Sequence, residues 1–303
     1  MKEQKLIAIT GPSSSGKTAL AIALSKELNG EIISVDSRQI YKGLDIGSAK
    51  PTIEERENIP HHMMDIIDVT EPFTAADFSD RAKEIIKDIQ SRGKTVILAG
   101  GTGLYFRILL QDFDLPRVAP NPELRNELEQ IPTEELYKTL QELDKDIAEK
   151  IHFNNKVKII RAIEVCKTLG IPMSKAQKRK ESEYKTLWCG LNFKDRDLLY
   201  DRINKRVDLM MQAGLLEEAK KLFEQYGENN ILMNTIGYQE LYPYLYEQDD
   251  LDIALEQLKQ NTRRYSKRQI SWFNANKDIH WYNVDEMDFE TIKSSIIEEY
   301  KKL

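Results

Sequence analysis

The segment Gly11-Pro12-Ser13-Ser14-Ser15-Gly16-Lys17-Thr18 carries the densest chemistry in this 303-residue chain. It fits G-x-x-x-x-G-K-[ST], with an apolar run before it and a helical pattern after it. In that setting successive backbone N–H groups and the positive end of a helix dipole point at one anion. Lys17 adds a charge to the terminal phosphate, and the Thr18 hydroxyl is placed to ligate Mg²⁺. The spacing predicts a phosphate anhydride without saying which one. Asp36 follows the next strand-like run, with Ser37, Arg38, Gln39 and Tyr41 after it. In open α/β sheets the carboxyl ends of strands border the ligand crevice, so Asp36 is a candidate base there, although an aspartate after a strand also serves as a cap or turn residue. Gly100-Gly101-Thr102-Gly103-Leu104-Tyr105 ends a third run. Its glycines permit close approach by backbone or ligand, and Thr102 can cap the helix or face the crevice.

These groups need a sheet edge to hold them. Lys5 to Thr10, Glu31 to Val35 and Lys94 to Ala99 read as strands, and Lys17 to Leu28, Ala75 to Gln90 and Thr102 to Leu110 as helices. Alternating strands and helices imply an α/β fold: a P-loop NTPase-like parallel sheet flanked by helices. From Phe113 the character changes. Pro116, Pro120 and Pro122 break the chain, and the stretch to about Tyr184 is charged, helical in period and without strong strand signals. This predicts an inserted all-helical domain over 113–187, within a core made of 1–112 and 188–303. Trp188 to Phe193 would return to the sheet, and Asp195 to Asn276 reads as nearly all helix.

The net charge is −6, but its distribution is uneven. Between Ile151 and Lys180 stand Lys156, Lys158, Arg161, Lys167, Lys175, Lys178, Arg179 and Lys180, against Glu164 as the lone acid. Between Lys259 and Lys277 stand Lys259, Arg263, Arg264, Lys267, Arg268 and Lys277, with no acid. One such run reads as a solvated helix face; two in an otherwise acidic chain point to an anionic partner. No segment approaches the roughly 18 apolar residues that span a bilayer. Cys166 and Cys189 lack zinc or disulfide spacing, so a reducing, cytoplasmic setting is expected.

The P-loop, Asp36 to Tyr41, Asp45-Ile46-Gly47-Ser48-Ala49-Lys50-Pro51 and the GGTGLY run resemble, in order and spacing, the tRNA dimethylallyltransferases. His61-His62 with Asp65, Arg161 to Val165, Ile236-Gly237-Tyr238, and Thr262 to Phe273 are similar to that family's remaining blocks. The resemblance covers nearly the whole chain. It implies transfer of a dimethylallyl group from dimethylallyl pyrophosphate to the exocyclic N6 of the adenosine 3′ of the anticodon. By resemblance Asp36 is the base, Thr102 lies beside the reacting atoms, and Arg206 reaches the pyrophosphate, unless it is a plain surface charge. Asp36, Ser37, Arg38 and Gln39 would read an extruded adenine. Arg125, Lys158 and Arg161 in the insertion would hold the anticodon stem-loop, with Arg263 and Arg268 following the backbone. A monomer with no membrane association is expected. Phe153 stands where the family pattern has proline, and Gln239 where it has lysine or arginine.

A small-molecule kinase is the main rival, with ATP on the same loop and Asp36 activating a hydroxyl. It leaves the basic insertion and the basic helix ending near Trp272 without a purpose. An RNA-binding module with a relic P-loop leaves Asp36 without one. His61 and His62 are expected to order a loop rather than bind metal, and Tyr238, Tyr242, Tyr244 and Tyr246 to pack.

Overall fold

The computed structural model describes residues 4–111, 113–114, 116–176, 178–179 and 182–303. The first three residues of the N-terminal segment and Lys180 of the first basic run lie outside the described residues, and Lys178 and Arg179 are described by backbone alone. Along the chain, β1 (Gln4–Thr10) leads through the P-loop into α1 (Lys17–Glu27). Next come β2 (Gly30–Val35), β3 (His61–His62), α2 (Ala75–Ser91), β4 (Thr95–Gly100) and α3 (Gly103–Leu110). The insertion contains β5 (Phe113–Asp114), α4 (Pro122–Glu129), α5 (Thr133–Leu143), α6 (Lys145–Ala148), α7 (Lys156–Leu169), α8 (Met173–Ala176) and β6 (Lys178–Arg179). The chain returns as β7 (Tyr184–Asn192), α9 (Arg196–Gln212), α10 (Leu215–Tyr226), α11 (Asn230–Met233) and α12 (Tyr242–Tyr246). It ends with α13 (Leu251–Phe273), β8 (His280–Asn283) and α14 (Phe289–Lys302).

Two compact units result, 1–106 with 183–303, and 107–182. The larger unit is built on six parallel strands in the order β3-β2-β4-β1-β7-β8. β1 is central and β2 is buried throughout, as expected of parallel strands covered on both faces. Ile7 lies between Ile97 and Leu187, so the apolar run of β1 is matched on both sides. Because every strand points the same way, the turns after β1, β2 and β4 emerge at one sheet edge. That is how the P-loop, Asp36 and Gly100-Gly101 come together. β7 begins at Tyr184, opposite Gln4, several residues before the expected return at Trp188. The exposed Lys185 and the polar Thr186 interrupt the strand's apolar pattern, which becomes continuous only from Leu187.

The smaller unit has its own core, with Leu128, Leu136, Leu140, Ile147, Ile159 and Ile163 interlocked between α4, α5, α6 and α7. Asn121 caps α4 ahead of Pro122, and Gly170, at φ 67°, ends α7. The two-residue antiparallel pair β5–β6 joins its two ends, an element too short to leave a periodic signal. Glu164, the lone acid of the basic run, is fully buried and accepts hydrogen bonds from Arg125, Arg161 and the Asn121 N–H.

Candidate active site

The P-loop turns on backbone that side chains rarely adopt: Gly11 at φ 140°, Ser14 at 64° and Gly16 at 94°. A Cβ on Gly11 would sit 2.3 Å from the Leu191 carbonyl of β7, so glycine is required there. Lys17 folds back, its Nζ donating to the Pro12 carbonyl at 2.6 Å. Burial of the ammonium and then the nearby Arg206 charge depress its pKa to about 7, with Asp36 opposing. A bound phosphate would raise it again. The hydroxyls of Ser14 and Ser15 are buried with no hydrogen-bond partner among the described residues. Thr18 is exposed to the adjoining cavity.

Asp36 lines the same cavity and closes an Asx turn, its Oδ1 accepting from the N–H of Arg38 at 2.8 Å and of Gln39 at 3.3 Å. Both bonds use Oδ1, and Oδ2 has no hydrogen-bond partner among the described residues. Thr102 does not line the cavity: its Oγ1 accepts the Ser37 N–H at 3.0 Å and ties the turn to the start of α3. Gln39 is spent within the protein, accepting from Ser34 and donating to the carbonyls of Ser48 and Ala49. Arg38 reaches across to the Asn234 carbonyl at 2.9 Å. The glycine run serves the close approach of α13. A Cβ on Gly101 would lie 2.0 Å from Gln269 Nε2, and one on Gly103 2.1 Å from the Trp272 ring.

Helix α9 supplies two arginines one turn apart. Arg206 lines the cavity and donates to the Ala49 carbonyl at 3.4 Å, and burial depresses its pKa. Arg202, which sequence reasoning missed, donates to the Ser14 carbonyl at 3.1 Å and lies over the Phe193 ring. Its signal was the i,i+4 spacing to Arg206. Ile203, Val207, Met210, Ile236 and Leu258 form an apolar wall, and the whole cavity measures about 410 Å³. Tyr265 completes it, its phenol pushed up to about 12 by burial and by the Asp36 carboxylate.

The Asp45–Gly47 loop is held by a carboxylate that sequence reasoning also missed. Glu218 accepts the N–H groups of Asp45, Ile46 and Gly47, and the hydroxyl of buried Tyr238 at 2.7 Å. Gly47 is glycine because a Cβ would meet the Tyr238 ring at 2.5 Å. Tyr238→Phe removes one bond to a charged acceptor and is expected to cost about 1–2 kcal/mol. Hydrogen exchange should read this loss as weaker protection of the Asp45, Ile46 and Gly47 amides that Glu218 holds.

Several residues expected to meet RNA have partners of their own. Arg125 and Arg161 bind Glu164, and Arg161 also donates to the Val118 carbonyl. Arg263 pairs with Asn204 and Glu256. Arg268 lies over Tyr265 and lines the cavity, and Lys158 is exposed. His62 meets the buried Glu31 at 2.8 Å, which Arg92 and Lys94 also hold, while His61 faces the Ile59 carbonyl. Asp65 pairs with Lys50.

A family model described as IPP transferase matches residues 39–276. The tRNA dimethylallyltransferase of Acaryochloris marina is 42% identical over 93% of this chain and 94% of its own length. The chain belongs to the tRNA dimethylallyltransferase family. Two solved structures are similar to this family member. The tRNA isopentenylpyrophosphate transferase of Bacillus halodurans is 40% identical, with a TM-score of 0.74 and 99% of each chain covered. A eukaryotic dimethylallyltransferase, described as acting on tRNA, is 31% identical, with a TM-score of 0.82, over 96% of this chain and 77% of its own. The P-loop and Asp36 precede the stretch that the family model spans.

Proposed function

We propose that this chain transfers the dimethylallyl group of dimethylallyl pyrophosphate to N6 of the adenosine 3′ of the anticodon in tRNA. A bond forms between N6 and the allylic carbon, the carbon–oxygen bond to pyrophosphate breaks, and the N6 proton passes to Asp36. The observation that carries this reading is the composition of one cavity. It joins P-loop residues and Arg206 to an apolar wall of Ile203, Val207, Met210, Ile236 and Leu258, with Asp36 among them. Charge and oil side by side suit a prenyl pyrophosphate better than they suit ATP.

The adenine amino group is a weak nucleophile because its lone pair is delocalised into the ring, so a positioned base helps. The unpartnered hydroxyl of Ser14, which lines the cavity, fits an oxygen of a pyrophosphate. The Thr18 hydroxyl is the group of this loop that would hold Mg²⁺. When bound, the ion neutralises charge that grows on the departing pyrophosphate. Lys17 and the loop amides act on the same charge. Arg38 and Arg268 are candidates to read or clamp the extruded base. In the unit 107–182, exposed Lys158 is a candidate phosphate contact. There Arg125 and Arg161 would act on tRNA chiefly by holding the unit's shape. A tRNA substrate supports a cytoplasmic setting.

Incubation with bulk tRNA and labelled dimethylallyl pyrophosphate is expected to place label in tRNA and release pyrophosphate. Consumption of ATP against a small acceptor, with tRNA unlabelled, would overturn the reading in favour of a kinase.

A further inference from the structure

The N-terminal limb of this P-loop offers a ligand few donors. Pro12 has no N–H. The Ser13 N–H is taken by Gln269, whose Oε1 accepts it at 2.9 Å, while Nε2 of the same side chain donates to the Gly101 carbonyl at 3.1 Å. The Pro12 carbonyl is occupied by Lys17. Gln269 is nearly buried at 7% exposure, both ends of its amide are bonded, and it lines the cavity beside Ser13 and Gly101. By contrast, the N–H groups of Ser14, Ser15 and Gly16 have no acceptor among the described residues. The loop therefore keeps its free donors at the end that runs into α1. At its other end it presents the oxygen of a carboxamide, the negative end of a dipole.

We propose that Gln269 sets the length of the phosphate chain this loop accepts, making it a site for a pyrophosphate and against a triphosphate. The inference rests on the reading of the loop as a pyrophosphate site and names how that selectivity arises. A third phosphate extending toward Ser13 would find no free N–H there and would face the Gln269 oxygen, acceptor against acceptor. Charge alone predicts the opposite order. Lys17, Arg202 and Arg206 would hold the more negative triphosphate more tightly, so a preference for pyrophosphate has to come from the arrangement of donors. The separation of 256 positions between Gln269 and Ser13 also explains why the P-loop motif by itself suggests a nucleotide.

Calorimetric titration of the full chain with inorganic pyrophosphate and with inorganic triphosphate, each with Mg²⁺, tests this. The unmodified protein is expected to favour pyrophosphate by about tenfold or more, the size of a lost hydrogen bond to a charged group. Gln269→Ser frees the Ser13 N–H and removes the facing oxygen, and should cut that ratio by about tenfold. Gln269→Glu keeps an acceptor at Ser13 and adds negative charge, and should widen the ratio. Binding of neither polyphosphate by the unmodified protein overturns the pyrophosphate reading and this inference with it. Equal or tighter binding of triphosphate overturns the inference alone. If Gln269→Ser is folded, an unchanged ratio overturns it; if that variant unfolds, a ratio that Gln269→Glu fails to widen does so.

Discussion

Asp36→Asn is expected to lower the rate of prenyl transfer by about 10²- to 10⁴-fold, the range for loss of a positioned general base. The KM for dimethylallyl pyrophosphate and the affinity for tRNA should change little. The geometry makes asparagine the discriminating substitution. Asp36 Oδ1 already holds the N–H groups of Arg38 and Gln39, so Asp36→Ala removes a turn anchor together with a carboxylate. Asparagine keeps an oxygen to accept those two bonds and loses only the basicity. If Asp36 is merely a turn residue, Asp36→Asn should be close to fully active and Asp36→Ala alone impaired. Single-turnover transfer to tRNA, with gel-shift binding of the same variants, separates the outcomes. Near-normal turnover in Asp36→Asn removes Asp36 as the base.

The groups that the sequence made legible are those whose meaning is local. A P-loop is eight consecutive residues whose backbone geometry follows from two glycines, so reading it needs only the strand before and the helix after. Asp36 and the Gly100-Gly101 turn were legible because a parallel sheet delivers every strand end to one edge. What stayed hidden depends on contacts between distant segments. That Gly101 and Gly103 needed to be glycine was readable; that Gln269 and Trp272 fill the space was not, because both belong to a helix more than 160 residues later. Glu218 looked like any acid in the first turn of an amphipathic helix, yet it holds three backbone N–H groups of the Asp45–Gly47 loop. Gln39 shows the converse case. Its place in a candidate reading segment was legible and it lines the cavity, but that its carboxamide is already bonded to Ser34, Ser48 and Ala49 was not. Composition cannot tell a free polar group from a satisfied one.

Glu164 carries the same lesson into stability. A lone acid among eight bases reads as an accident of a charged face, but its carboxylate is fully buried and joins Arg125 on α4 to Arg161 on α7. Burial alone would raise its pKa. The bonds from Arg125, the Asn121 N–H and Arg161 outweigh that and hold it near 2, below the ordinary 4.5. Since the folded value is the lower one, the contribution is complete above about pH 4.5 and is lost as pH falls toward 2. Glu164→Ala at neutral pH leaves two guanidinium groups facing each other and an unmet Asn121 N–H. Removal of one partner from a buried pair costs about 3–5 kcal/mol, and the partly exposed arginines put this case at the lower end. The chain has two compact units, so a single unfolding midpoint is the wrong observable. Hydrogen exchange is the right one. Amides of α4, α5 and α7 should lose protection in Glu164→Ala while those of β1, β2 and β4 keep theirs. In the unmodified protein the same helices should lose protection as pH is lowered from 4.5 toward 2, after correction for intrinsic exchange. Uniform loss across both units would mean that Glu164 acts on the whole chain, and unchanged protection would mean that the triad contributes nothing to the stability of 107–182.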